Sequence, residues 1–265
     1  GLSGPLMKQV ASLQAGSSTV MARRAIRQAG NDSEVLGIML RIDSPGGTVS
    51  GTYDLADDVA AVNQKKPVHA YIEDLGASAA YAVASQAGRL TANRNALVGS
   101  IGTYAAVRDY SQLFAREGVK VHVIRAGAAK GAGMPGTEIT ADQLAEIQRE
   151  INALQEQFDA TVARGRKMSL DQVKQLADGR VHVGTSAQQL GLLDGVESVD
   201  AAYSFLVQKV KRMSQSSTPS AQATVAGTIL QVGEPLKPLA ATLPELQAAC
   251  PGASADFLLE QIGAS

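Results

Sequence analysis

Cys250 is the only cysteine among 265 residues, so the chain cannot close an internal disulfide, and no Cys/His cluster accompanies it to hold a structural zinc. No His-Glu-x-x-His and no paired-cysteine spacing occurs, which leaves metal-assisted hydrolysis without ligands. Neither a metal nor a cofactor is expected. Charge of one sign is lacking too: 24 basic residues meet 25 acidic ones for a net charge of -1. No broad basic field exists to attract nucleic acid or an anionic membrane. Gly1-Leu2-Ser3-Gly4-Pro5 opens the chain with neither a basic-then-apolar leader nor a spanning run of about 20 apolar residues. The expectation is a soluble, cytoplasmic chain that is a fragment, because it starts without methionine; an anchor ahead of Gly1 would make it membrane-associated.

What is present is a core-forming composition, 45% hydrophobic, in a chain long enough to fold without staples. Composition shifts near Met213. Residues 214–265 carry only Glu234, Lys237, Glu245, Asp256 and Glu260 as charges, but also Pro219, Pro235, Pro238, Pro244 and Pro251. That punctuation suits a linker and a short helical patch from Pro251 to Ile262, not a regular core. The expected division is one folded domain over 1–213 and a low-charge tail over 214–265.

Within 1–213, short apolar runs alternate with helical patterns. Leu36 to Ile42, Val68 to Ile72 and Val119 to Ile124 read as strands covered on both faces. Ser50 to Asn63 reads as a helix, with Tyr53, Ala56, Val59, Ala60 and Asn63 at helical spacing. Thr140 and Gln143 form a capping box ahead of a long helix whose stripe is Leu144, Ile147, Ile151, Leu154, Phe158 and Val162. The alternation predicts an α/β fold with a mainly parallel sheet.

In such sheets ligands gather where strands end and helices begin. Asp43-Ser44-Pro45-Gly46-Gly47 follows one strand, and its glycines allow close backbone approach and free N–H groups. Glu73-Asp74-Leu75-Gly76 follows another and leads into Ala77-Ser78-Ala79-Ala80-Tyr81, a helix starting at a serine among small residues. Ser78 could be a nucleophile with the Ala79 N–H at hand for an oxyanion, or a plain helix cap. A serine needs a base. His69 and His122 sit in apolar strand runs, and His182 sits in Arg180-Val181-His182-Val183, so none is well placed. A lysine away from water and carboxylates is the other choice. Lys130, in Gly127-Ala128-Ala129-Lys130-Gly131-Ala132-Gly133, is the lysine with small neighbours, although a flexible glycine-rich loop is the plain alternative. Ser100, in Gly99-Ser100-Ile101-Gly102, is a third polar candidate able to orient an amine.

In this order, over about residues 33–206, these segments resemble the signal peptide peptidase A family of serine-lysine peptidases, relatives of the Clp protease proteolytic subunit and crotonase. Asp43 to Gly47 resembles the family's oxyanion loop. Ala77 to Tyr81 is similar to its Ala-Ser-Gly-Gly-Tyr nucleophile segment, with Ala79-Ala80 in place of Gly-Gly. Gly99 to Gly102 matches its Gly-Ser-Ile-Gly, and Gly127 to Lys130 its Gly-x-x-Lys. Arg180 and Gly191-Leu192-Leu193-Asp194 resemble its closing elements. The chain resembles the phage head-maturation members most, through its single unit and the tail around Ala249 to Ala253 and Phe257-Leu258.

The resemblance implies a Clp/crotonase-like stacked β-sheet superhelix with flanking helices and a serine endopeptidase. It implies Ser78 as nucleophile, Lys130 as general base, Ser100 as the residue positioning the lysine, and the N–H groups of Gly47 and Ala79 as oxyanion hole. An extended peptide would add as a strand along Gly46, Thr48 and Val49. Further implications are a closed homo-oligomer with shared sites and capsid or scaffold proteins as substrates, in host cytoplasm or prohead. Three alternatives stand beside it: a bacterial enzyme clearing cleaved signal peptides, a crotonase-type acyl-CoA enzyme using Glu73 and Asp74, and a catalytically silent capsid component.

Overall fold

A computed structural model describes residues 1–8 and 16–216, so Cys250 and the helical patch from Pro251 lie outside the described residues. The chain enters through three two-residue strands, β1 (Leu2–Ser3), β2 (Leu6–Met7) and β3 (Ser17–Ser18), and then α1 (Thr19–Asn31). The first long strand, β4 (Ile38–Ser44), is followed by α2 (Thr52–Lys65), then by β5 (Val68–Ala77) and the short α3 (Ala79–Ala84). Next come β6 (Arg89–Ala92), β7 (Leu97–Gly99), α4 (Ser111–Arg116) and the 26-residue α5 (Ala141–Arg166). The remainder is α6 (Leu170–Leu176), β8 (Val181–Val183), α7 (Gly184–Gln189), β9 (Gly195–Val196) and α8 (Val199–Ser216).

The expected α/β architecture is present as a mostly parallel sheet flanked by helices. Strand β5 is its spine: it pairs with β4 along one edge, and its other edge is shared between β6, beside His69 to Ile72, and β7, beside Leu75 to Ala77. Every pairing is parallel except β7 with β8. Val68 to Ile72 are all buried, as a strand covered on both faces requires. Ile42, Leu55, Ile72 and Leu90 are fully enclosed, each adding about 1.5–3 kcal/mol of burial free energy.

Two sequence expectations change on contact with the fold. Val119 to Ile124 forms no strand. A strand exists only by pairing, and this run meets instead its own glycine-rich turn, with Val123 beside Gly131 and Val121 beside Gly136. The capping box of α5 is formed, both Thr140 and Gln143 side chains bonding back to the opposite backbone. Its apolar stripe, however, splits: Phe158 and Val162 are buried in the core, while Leu144 is exposed and Ile147, Ile151 and Leu154 are half-covered. From Gly102 to Gln157 no residue is buried.

Candidate active site

Strand β5 delivers Ser78 to the end of the sheet and α3 starts directly after it. Ser78 has φ 52 and ψ -126, a left-handed conformation that costs a non-glycine residue on the order of 1–3 kcal/mol. That geometry is not the extended one a capping serine adopts, and its side chain makes no capping bond. The plain-cap alternative therefore fails. What holds the strained backbone is its surroundings: the Ser78 N–H donates to Gly99 C=O at 2.8 Å, and Ala79 to Ala84 are all buried. Tyr81, fully enclosed, donates its hydroxyl to Leu192 C=O at 2.9 Å, and burial pushes its phenol well above the usual value. The tyrosine three residues after Ser78 thus ties α3 to the Gly191–Asp194 turn. That turn is fastened in its own way. Burial disfavours the Asp194 carboxylate, but the Arg166 guanidinium and the Leu90 N–H outweigh it and hold the group below the ordinary carboxylate value.

Three of the four sequence segments converge here. Gly46 packs against Ser78 so tightly that a Cβ at position 46 would lie 2.6 Å from Ser78 Cβ and 2.8 Å from the Ala79 nitrogen. Ser100, with φ 49, follows Gly99 and is held by its N–H bonding to Arg180 C=O at 2.7 Å. Arg180 thus works through its backbone, while its side chain pairs with Asp178 at the surface. A cavity of about 80 Å³, room for several waters, opens between Gly47, Val49, Thr52, Tyr53, Ser78, Ala79, Ala82, Gly102, Thr103, Tyr104 and Phe158. Tyr53 and Phe158 read in sequence only as helix-packing residues. Their spacing marks a buried face without saying that the face ends at a cavity.

The N–H groups of Gly47 and Ala79 have no hydrogen-bond partner within the described chain. Helix α3 has six residues, so any attraction for an oxyanion rests on these individual donors and not on a long helix dipole. The edge expected to take a peptide is partly occupied: Gly46 C=O accepts from Leu6 N–H at 2.7 Å, and Thr48 N–H donates to Leu6 C=O at 3.0 Å. Gly47 and Val49 line the cleft; Gly46 and Thr48 do not.

Lys130 stands apart. It lies in an exposed turn, and neither it nor its neighbours line the Ser78 cleft. Among the histidines, His69 is buried against Thr91 Oγ1 at 2.8 Å beneath α8, and His122 is exposed. Glu73 is bonded to Arg41 and, like Asp74, is absent from the cleft lining, which removes the carboxylates a crotonase-type reaction would need. The arrangement can offer a free hydroxyl, two N–H donors and an open cleft to a carbonyl, and the described residues that line the cleft include no histidine, lysine or carboxylate.

A buried strand end, a strained serine and paired glycines define an α/β protein whose central strand ends in a serine turn beside a cleft. Residues 60–212 match the model of Peptidase family S49, and the chain belongs to that family. It is 34% identical over 206 residues to capsid assembly protease C of Escherichia phage lambda, covering 76% of this chain and 46% of that protein. To head-tail preconnector protein GP5 of Enterobacteria phage P21 it is 32% identical, over 76% of this chain and 40% of the relative. The chloroplastic serine protease SPPA of Arabidopsis thaliana is 26% identical over 78% of this chain and 31% of its own length. The chain spans about half the length of the curated relatives it matches first. Among the described residues no helix is long and apolar enough to cross a membrane.

Proposed function

We propose that this chain is a serine endopeptidase whose active site is completed between copies. Its nucleophile is Ser78, its general base is Lys130 of a neighbouring copy, and Ser100 accepts a hydrogen from the neutral amine to aim it. Lys130 takes the Ser78 proton as Oγ attacks the peptide carbonyl, the N–H groups of Gly47 and Ala79 hold the oxyanion, and the proton passes to the leaving amine. Water, deprotonated by the same lysine, then releases the acyl group. The observation carrying this reading is the strained, uncapped Ser78 with its hydroxyl free at an open cleft beside Gly46. Exposed apolar residues of the 102–157 stretch that also holds Lys130, Tyr104 at 87% and Ile124 at 98% accessible, support a second copy as the neighbour. A substrate peptide pairs along the Gly47 and Val49 side of the loop, because Leu6 holds the other side. We assign residues 1–213 to a Clp/crotonase-like superhelix and 214–265 to a tail. Capsid or scaffold proteins are the substrates favoured by the likeness to the two phage proteins.

A serine-directed fluorophosphonate should label Ser78, and Ser78→Ala should abolish peptide cleavage. Mixing Ser78→Ala with Lys130→Ala copies should restore part of the activity by pairing an intact serine with an intact lysine. A mixture that co-assembles and stays inactive would overturn the shared site.

A further inference from the structure

Ser44 belongs to the glycine loop but has no part in the reaction just described, and it lies with Leu6 outside the residues that match the family model. It is completely buried at the end of β4. Its hydroxyl donates to Gly4 C=O at 2.6 Å and accepts the Gly46 N–H at 3.2 Å, so one oxygen joins the amino-terminal segment to the loop. Two residues further along, Leu6 takes Gly46 C=O and Thr48 N–H with its own backbone, at 2.7 and 3.0 Å. The polar groups of the Gly46 to Thr48 backbone are thereby divided. A trans peptide holds its C=O and N–H on opposite sides, and no cis bond occurs here, so with Gly46 C=O turned toward Leu6 the Gly47 N–H is turned away from it. The fit leaves no slack: a Cβ at position 47 would collide with the carbonyl of Leu6, and one at position 46 with Ser78.

We infer that Ser44 is a positioning residue that, with the Gly4–Leu6 segment, sets the direction of the Gly47 N–H toward the oxyanion. This rests on the peptidase reading above. Ser44 touches no substrate. It fixes the turn from behind, so that the donor is aimed before a peptide arrives and needs no reorganisation when charge develops. Without its acceptor, the Gly46 N–H is left buried and unpaired, and the peptide unit beside it can rotate to find one.

The test uses the full chain. In Ser44→Ala, kcat should fall by about 10- to 100-fold, the scale of a misaimed transition-state donor, with KM within about twofold. Affinity for a peptide aldehyde, whose adduct carries the oxyanion, should fall by the same factor as kcat, whereas a purely structural defect would move KM and thermal stability instead. Ser44→Thr, which keeps the hydroxyl, should recover most of the loss. Ser44→Cys keeps the volume with a weak acceptor and should behave as Ser44→Ala does, which preserves the test if the smaller side chain fails to fold. A folded Ser44→Ala or Ser44→Cys protein with parental kcat overturns the positioning role while Ser78 labelling leaves the peptidase reading intact. A parent chain that is neither labelled at Ser78 nor active overturns both.

Discussion

The two halves of the candidate site are built in opposite ways. Around Ser78 the chain is closed: α3 is wholly buried, Tyr81 is anchored to Leu192, and Gly46 and Gly99 press on the serine backbone from two sides. From Gly102 to Gln157, the stretch that contains Lys130, nothing is buried and Ile124 is almost entirely in water. A serine held in a left-handed conformation needs an over-determined setting, which one folded chain can supply. An excursion with its apolar side chains outward has the composition of an interior without the enclosure. The contrast teaches that a single copy closes the setting of Ser78 and leaves Lys130 on an open surface.

The sharpest way to break this comparison is Ser78→Ala. Activity toward peptides should drop by about a thousandfold or more, because residues acting as one unit fail together. Thermal stability should be unchanged or slightly raised, since the hydroxyl has no partner to lose. An accompanying collapse of the fold would show that the serine is structural.

A second measurement addresses the closed half through His69. Burial, and then the Arg89 charge, lower its pKa to about 4, against the pull of Glu197 and Asp194. A neutral histidine is thus favoured in the folded chain. Its contribution to stability is fully present above the unfolded value near 6.5, is lost as pH falls through the window from there to about 4, and amounts to about 3 kcal/mol over that range. Urea midpoints at pH 7 and pH 4.5 should differ in the parent and converge in His69→Gln. Equal pH slopes in both proteins would remove His69 from the account.

Gly46→Ala should cost less in stability, about 1–3 kcal/mol, through overpacking against Ser78 and a positive φ of 98 that alanine resists. It should also impair cleavage, and recovery of parental kcat in a folded variant would argue against close approach at this point. The smallest change is expected in the open half. Ile124→Ser should alter the melting of an isolated copy by about 0.5 kcal/mol or less, as surface substitutions do. The same substitution should reduce self-association in sedimentation measurements, and unaltered association would exclude Ile124 from the contact.

Legibility in the sequence followed the same division. Strands β4 and β5 were readable as apolar runs, and the start of α5 from Thr140 and Gln143, because these signals are local. Ser78 at a strand-helix junction was readable for the same reason. Val119 to Ile124 has the composition of a strand, but composition does not supply the neighbour that pairing requires. The bonds from Gly4 and Leu6 to residues some forty positions away leave no local mark, and β1 and β2, two residues each, are too short to show a period. Phe158 was legible as a core side chain and not as a wall of the cleft, since one stripe serves both purposes.

Helix α5 also has a mechanical reading. Its root is clamped by Phe158 and Val162, and Phe158 lines the space beside Ser78; its tip, at Ala141, is exposed. Root and tip are roughly 25 Å apart at 1.5 Å per residue, and the helix between them has no proline to bend at. It is a lever that pivots beside the Ser78 cleft. Swinging the tip by about 2 Å would tilt the rod by roughly 5° over that span, and the tilt would be felt first at the aromatic wall of the cleft.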